Sequence, residues 1–455
     1  MKPWDPNVKP YKLAKRQSKL HIQLSPPAVL FLGFILLIFV GAGLLMLPIA
    51  STVETPFIKA LFTGTSAVTV TGLVVLDTGT HFTTFGQIVI AGLIQAGGLG
   101  FMTFAVVAAI SLGARLGLSQ QILMKEALDQ TSMEKVVQTA KFVLCYSFVI
   151  ELVGFVLLTL VWLEEYGLRE SAYQAFFYTL SAFNNAGFAL RSDSLSAYSA
   201  SVSVNMIITA LFIIGGIGFA VLIDIKTNKR WRKLSVNTRI VLLATLTINL
   251  VAFFLIWLLE ANNPATLGTL PVAEQALTAW FQAVTPRTAG FNTLPIENLT
   301  DASTTLTILL MFIGGGSLST ASGLKLGTFI VLIMTTYTFL RRRTQVTLLN
   351  RTIPQVQVLK ALSLAIISIG MIFISIFILT AIENAPFLDI VFEVVSALST
   401  VGLSRGLTGQ LSDTGEIVII FMMIVGRVGP LSFAYFIATP KPRKVQYADA
   451  EIQVG

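Results

Sequence analysis

One short pattern occurs four times in this chain, and no other feature of the sequence restricts the fold as much. Ser66-Ala67-Val68-Thr69-Val70-Thr71-Gly72-Leu73 is repeated by Ser181-Ala182-Phe183-Asn184-Asn185-Ala186-Gly187-Phe188 and by Ser396-Ala397-Leu398-Ser399-Thr400-Val401-Gly402-Leu403. A looser copy, Gln282-Ala283-Val284-Thr285-Pro286-Arg287-Thr288-Ala289-Gly290-Phe291, has two extra residues before its glycine. The four glycines are 115, 103 and 112 residues apart. Near-constant spacing signals a repeat architecture. Four copies of a small polar loop predict four quarters around one axis, with the loops meeting on it.

Each loop is too polar and too short to cross a bilayer, but its flanks are not. Eight apolar segments reach the roughly 20 residues that a spanning helix needs: about 28–48, 85–113, 139–163, 203–224, 239–259, 304–340, 358–381 and 415–438. Only 12% of residues are charged and mean hydropathy is +0.79, against about 25% charged in soluble domains. Half-length elements at 55–68, 171–183, 271–285 and 386–398 each run into a glycine loop. Pro56, Pro271 and Pro386 stand near three of their starts, where a first helical turn tolerates proline. The predicted fold is an all-α polytopic membrane protein: eight full spans in four span, re-entrant pore helix, span repeats around a pseudo-fourfold pore. The divisions are an N-terminal segment 1–25, repeats at 26–113, 114–225, 226–340 and 341–438, and a tail 439–455.

Loop charges orient it. Arg115, Lys125 and Lys135 follow the second span, Lys226 to Arg239 the fourth, and Arg341, Arg342, Arg343 and Arg351 the sixth. The alternate connections carry only Lys59, Arg169, Arg191, Arg287 and Arg405. Basic loops stay inside, so both termini are expected to be cytoplasmic and the glycine loops to be reached from outside. The net charge of +8 then reports orientation rather than nucleic-acid binding. His21 and His81 have no metal-ligand spacing and Cys145 lies in an apolar run, so neither a metal centre nor a disulfide is expected.

Non-helical backbone at membrane depth survives only inside protein or along a watered cavity. The candidate lining is Val70, Thr71, Gly72, Asn185, Ala186, Gly187, Thr288, Ala289, Gly290, Thr400, Val401 and Gly402. These residues offer carbonyls and hydroxyls without a carboxylate, which suits a monovalent cation better than calcium or magnesium. Four half-helices would point the negative ends of their dipoles at it. A second candidate interrupts the sixth span: Gly314, Gly315, Gly316, Ser317, Ser319, Thr320, Ser322, Gly323 and Lys325. Close helix packing through small residues and a loop facing a cavity both fit that stretch. Arg427 and Glu151 are charges inside spans, which are costly unless paired or functional.

These motifs, with Gly97-Gly98-Leu99-Gly100-Phe101-Met102-Thr103, resemble the Ktr/Trk/HKT superfamily of potassium transporters over nearly the whole chain, most closely the KtrB-type membrane subunits of bacterial Ktr systems. The resemblance implies K⁺ uptake at the plasma membrane, with K⁺ at the filter carbonyls and Na⁺ a candidate activator. It makes the 314–325 stretch an intramembrane gate, where Lys325 would repel a cation or pair with an acid, and Arg427 part of the barrier beneath the filter. It implies a homodimer and a KtrA-type nucleotide-binding ring, with no nucleotide in this chain. Each loop is shorter than the Thr-Val-Gly-Tyr-Gly filter of potassium channels, so selectivity over Na⁺ is expected to be weaker. Some plant relatives with Ser at the first filter position conduct Na⁺; Gly72 favours K⁺.

The basic connections suit docking of a regulatory subunit, orientation or contact with membrane lipid equally. The tail suits an interface or disorder. Whether flux is channel-like or Na⁺-coupled stays open. A secondary transporter for an organic solute with broken helices is the alternative, disfavoured by four repeats of one orientation. A membrane enzyme would need clustered catalytic groups that this sequence does not have.

Overall fold

The structure, a computed structural model, describes residues 26–100, 133–431 and 433. The 1–25 segment, the 439–455 tail and residues 101–132, which include part of the second predicted span, lie outside the described residues. The helices are α1 (Pro26–Leu45), α2 (Phe57–Thr69), α3 (Thr84–Gly98), α4 (Met133–Phe183), α5 (Val202–Ile217), α6 (Phe219–Thr227), α7 (Val236–Glu260), α8 (Val272–Val284), α9 (Asp301–Phe312), α10 (Leu326–Leu340), α11 (Gln355–Ile382), α12 (Phe387–Ser399) and α13 (Asp413–Val428). A two-stranded antiparallel hairpin, β1 (Thr347–Leu348) and β2 (Arg351–Thr352), joins α10 to α11.

Four half-length helices organise the rest. They are α2, α8, α12 and the part of α4 beyond Gly167, where the chain leaves helical geometry at φ 72° and ψ 167°. Pro56, Pro271 and Pro386 are the N-cap residues of α2, α8 and α12; proline has no N–H to leave orphaned there. The α4 half-helix has no proline. Its bend is held instead by Ser171 Oγ donating to the Trp162 carbonyl at 2.7 Å. Each half-helix buries a phenylalanine completely: Phe62, Phe177, Phe281 and Phe392. Burying such a ring contributes about 1.5–3 kcal/mol, which is how these short helices persist where isolated ones would not.

The surrounding helices are apolar outside as well as inside. On α7, Leu246, Val251, Phe254 and Leu258 are exposed; on α11, Ile366, Ile369, Phe373 and Phe377 are. An apolar skin of this extent fits hydrocarbon, not water. Among the described residues α4, α7 and α11 are long and apolar enough to cross a membrane. The α5–α6 pair, bent by 90°, is long and apolar enough only when its two helices are taken together, while α3, α9, α10 and the Phe31–Leu45 part of α1 are shorter apolar helices.

Packing runs in a closed circuit. Around the half-helices α2 packs on α1 and α3, α4 on α5, α8 on α7, and α12 on α11 and α13. Between these groups α3 meets α4, α5 meets α8, α9 meets α12, and α13 returns to α2. Lys59 on α2 and Glu416 on α13 form an ion pair at that last contact.

Three predicted spans differ from expectation. The 85–113 segment is helical only to Gly98 within the described residues, and Gly100 has φ 83°. The 203–224 segment breaks at Gly218, φ 107°, and 415–438 breaks at Gly429, φ 95°. The reason at Gly218 is tertiary. A Cβ on Gly218 would strike the Ser317 carbonyl, and the Phe219 amide donates to the Leu318 carbonyl at 2.7 Å. The loop between α9 and α10 thus occupies the place where α5 would continue. The predicted interruption of 304–340 falls between Phe312 and Leu326.

Candidate functional site

The four glycine loops share one conformation. The residue two before each glycine is left-handed: Val70 at φ 57°, Asn185 at 60°, Thr288 at 72° and Thr400 at 48°. The glycines have φ 92°, 68°, 78° and 91°. The two extra residues of the third copy are absorbed before Thr288, so the triplet itself is unchanged. In the other three, the left-handed residue ends the half-helix in a paired cap. Val70 N donates to Ala67 O and Thr71 N to Ser66 O at 2.8 Å; Asn185 with Ala186, and Thr400 with Val401, repeat this. Such caps satisfy the last carbonyls of a helix. They stop the half-helices with their partly negative ends at the ring.

A hydroxyl locks each loop. Ser66 and Ser396 accept from the Gly72 and Gly402 amides at 3.0 and 3.1 Å. Ser181 and Thr285 donate to the Phe188 and Phe291 carbonyls. Gln282, which aligns with the serines, is fully buried and neither amide atom has a partner; Thr285 takes over its task.

The glycines close a ring. A Cβ on Gly72 would strike the Ala186 carbonyl, and one on Gly187 would lie 2.9 Å from Gly290 Cα. On Gly290 it would strike the Val401 carbonyl, and on Gly402 the Thr71 carbonyl. The other side chains of the triplets are buried, which leaves main chain as the lining. Carbonyl-rich main chain without carboxylates can replace the water around a monovalent cation.

The loop 313–325 lies against this ring. Its ends are pinned together: Gly314 N donates to Leu324 O at 2.9 Å and Leu326 N to Gly315 O at 3.0 Å. Its middle covers the end of α5, where Gly316 N donates to Gly216 O at 2.8 Å. Thr320 Oγ1 donates to Asn185 Oδ1 at 2.9 Å, and Asn185 Nδ2 reaches Thr288 Oγ1 at 3.4 Å. The loop therefore touches one of the four triplets directly and a second through Asn185. Arg427 holds it from α13, donating to Thr320 O and to Ser322 Oγ at 3.1 Å, and ties it to the Gly97 and Gly98 carbonyls. Arg287 donates to Asn249 Oδ1 at 3.1 Å and to Gly314 O at 3.4 Å. Lys325 Nζ donates to Ala321 O at 2.6 Å.

Among the described residues the ion pairs are Lys59–Glu416, Arg191–Asp193 and Arg405–Asp389. Lys325 thus meets a carbonyl rather than the acid that sequence reasoning offered as one option. Arg287 thus braces the loop and α7. A cavity of about 90 Å³ lies between Gly323 and Lys325 of the loop, Ser399 and Gly426, roomy enough for water. Of the three cationic side chains that hold the loop, Lys325 lines this cavity and Arg287 lines a separate, smaller one.

Sequence reasoning passed over several buried polar groups. Glu393, fully buried on α12, accepts from Ser404 Oγ at 2.8 Å and from Thr408. Arg405 spans Asp389 and Thr304 Oγ1. The available signal was a lone carboxylate in an apolar half-helix, since buried charge needs partners. Glu151 accepts from Gln95 Nε2 at 2.9 Å on the neighbouring α3. Glycines of α3, α5 and α13 back directly onto half-helix ends. A Cβ on Gly97, Gly215 or Gly426 would strike the carbonyl of Val68, Phe183 or Leu398.

The chain matches the TrkH family, described as cation transport protein, over residues 33–447. It is 46% identical over 434 residues to the Ktr system potassium uptake protein B of Bacillus subtilis (strain 168), with 95% of this chain and 98% of that protein covered. The protein of the same description from Vibrio alginolyticus is 41% identical over 433 residues, covering 94% and 95%. The crystal structure of the potassium transporter TrkH from Vibrio parahaemolyticus superposes with a TM-score of 0.74 at 20% identity, covering 93% of this chain and 86% of that one, a likeness of fold.

Proposed function

The chain belongs to the TrkH family of cation transport proteins, in the Ktr/Trk/HKT superfamily, and is a multi-pass membrane protein; from that premise we propose that it carries K⁺ into the cell through the ring of glycine loops. The observation that carries this reading is the closed contact of Gly72, Gly187, Gly290 and Gly402 at the ends of four half-helices. K⁺ enters from outside, sheds water to the main chain of the triplets 70–72, 185–187, 288–290 and 400–402, and is favoured there by four helix ends, each worth about half an elementary negative charge. Eight spans in four quarters, with divisions near residues 113, 225 and 340, complete the pore.

The loop 313–325 is the gate. In this structure it is seated, and Arg427 and Lys325 place positive charge on the inner side of the ring. Opening requires the loop to leave Arg427 and Asn185. The α10–α11 connection, which opens with Arg341, Arg342 and Arg343, is the handle for a KtrA-type nucleotide-binding ring on the cytoplasmic side of a homodimer. The relatives' own description, component B of a Ktr system, supports a partnered assembly. Na⁺ acts as an activator in this scheme.

The test is rubidium tracer uptake by the purified chain in liposomes, with K⁺, Na⁺ or Li⁺ as competitor, alone and with the cytoplasmic partner. K⁺ is expected to block uptake and Li⁺ to block it poorly; imposed Na⁺ shows whether it activates. Gly290→Ser is expected to erode the preference for K⁺ over Na⁺. An unchanged preference in a folded variant removes the filter assignment, and a deletion of 315–322 without effect on flux removes the gate.

A further inference from the structure

A groove of about 550 Å³ lies where α7, α10 and α11 diverge beside the β1–β2 hairpin. We infer that it binds an anionic phospholipid whose occupancy keeps the 313–325 loop seated. The second half of this inference rests on the gate reading above; the first does not.

The mouth of the groove is basic and polar. Arg351 of the hairpin and Lys360 of α11 line it with Gln357 and Asn237. Both cations are exposed, and among the described residues neither has an acidic partner. The walls are apolar: Ile240 of α7, Ile330 of α10 and Leu364 of α11. Charge at the rim and hydrocarbon along the walls match an amphiphile with an anionic head. A soluble phosphate would leave the walls unused.

Location selects lipid over a soluble partner. Lys360 stands near the start of the exposed apolar stripe of α11, which runs from Val356 through Leu359, Leu362 and Ile366 to Phe377. Ile333 and Tyr337 continue the same skin on α10. The groove thus opens at the edge of the hydrocarbon-facing surface, on the side that the basic loops assign to the cytoplasm. Basic pockets between spans at that level bind anionic headgroups.

The floor is Ser317 of the loop, whose carbonyl sits where a Cβ of Gly218 would be. Helix α10 begins at Leu326, directly after the loop. A lipid wedged along α10 therefore binds the arrangement with the loop seated, and a ligand favours the state that it binds better. Anionic lipid is expected to slow uptake.

Binding is read first, without reference to transport. Native mass spectrometry of the full chain compares phosphatidylglycerol with phosphatidylcholine. Phosphatidylglycerol is expected to bind preferentially. One basic residue near an anionic surface contributes about fivefold, so Arg351→Ala with Lys360→Ala is expected to weaken it roughly 25-fold, and Arg351→Lys with Lys360→Arg to retain it. Gly327 lines the groove, and a Cβ there meets nothing within 4 Å. Gly327→Leu fills the groove from a position open at its Cβ and is expected to lower binding as well.

Equal binding of the two lipids to the unaltered chain, or a phosphatidylglycerol preference that survives the double alanine variant or Gly327→Leu, overturns the site. Competition by free glycerol 3-phosphate as strong as by the lipid overturns its assignment to lipid. Rubidium uptake is then compared in phosphatidylcholine liposomes with and without phosphatidylglycerol. The expected result is slower uptake with the anionic lipid in the unaltered chain and no such slowing in the double alanine variant. Lipid binding with equal response of both chains overturns the link to the loop and leaves the site standing.

Discussion

The glycine ring and the loop beneath it touch through Thr320 and Asn185, yet they are held by opposite means. In the ring, backbone rests on backbone, and a hydroxyl from the end of each half-helix fixes each turn. Each of its glycines lies so close to the next loop that an added Cβ would come within 3 Å of that loop's backbone. The loop is held from outside by side chains of Arg427 and Arg287, by its own Thr320 on Asn185, and by the end of α5. Those bonds can be released one at a time while the ring stays intact. Selecting an ion needs fixed carbonyls, whereas admitting it needs a reversible obstruction. Under the proposed function, the difference in anchoring lets the chain place both side by side.

Adding a methyl group to the ring is the harshest challenge to this contrast. Gly402→Ala forces a Cβ against the Thr71 carbonyl at a φ of 91°. Strain of about 1–3 kcal/mol comes on top of that clash. Selective rubidium uptake is expected to fall by a factor on the order of ten or more, with a lower melting temperature. Unaltered uptake and selectivity would show that the ring is not the path. Loosening the loop should act in the other direction. Arg427→Gln removes charge-assisted bonds worth about 1.5–3 kcal/mol each, and with them positive charge from the path. Uptake by the chain alone is expected to rise roughly tenfold with selectivity kept; a fall in uptake by a protein that melts normally contradicts the clamp. The mildest change tests whether hydroxyls matter to a ring otherwise built of backbone. Ser66→Ala loses one neutral bond to the Gly72 amide, about 1 kcal/mol. A drop of a few-fold in K⁺ over Na⁺ preference at near-normal stability is expected, against none at all if backbone contact suffices.

The half-helices were legible because each carries its own punctuation. Proline at three starts and a helix-terminating glycine loop at every end are local signals, and α2, α8 and α12 lie within about two residues of their expected bounds. The bend at Gly167 was legible only as a gap between two apolar segments, because the helix runs on to either side of that one residue from Met133 to Phe183. The breaks at Gly218 and Gly429 were not legible. Hydropathy averages over a single glycine, and spanning helices tolerate one; what breaks α5 is a loop arriving from residues 316–320, about a hundred positions later. Separations of 107 to 330 positions hid the partners of Arg427. Its cost inside a span could be read from sequence, but not that carbonyls of Gly97, Gly98 and Thr320 would meet it. The hydroxyl locks lay in plain view at a constant offset in three copies. In the remaining one, Gln282 occupied the aligned place and concealed that Thr285 performs the role.

The ion pair of Lys59 with Glu416 joins residues 357 positions apart. A ribosome adding about 5–20 residues per second needs roughly 20–70 s to cover that distance. For all that time the first half-helix waits for the neighbour that closes the circuit, and Gly72 has no Gly402 against it. Under the proposed function, a chain cut short before α12 lacks one side of the ring and cannot form the conduit, so an unfinished copy is not an unregulated leak.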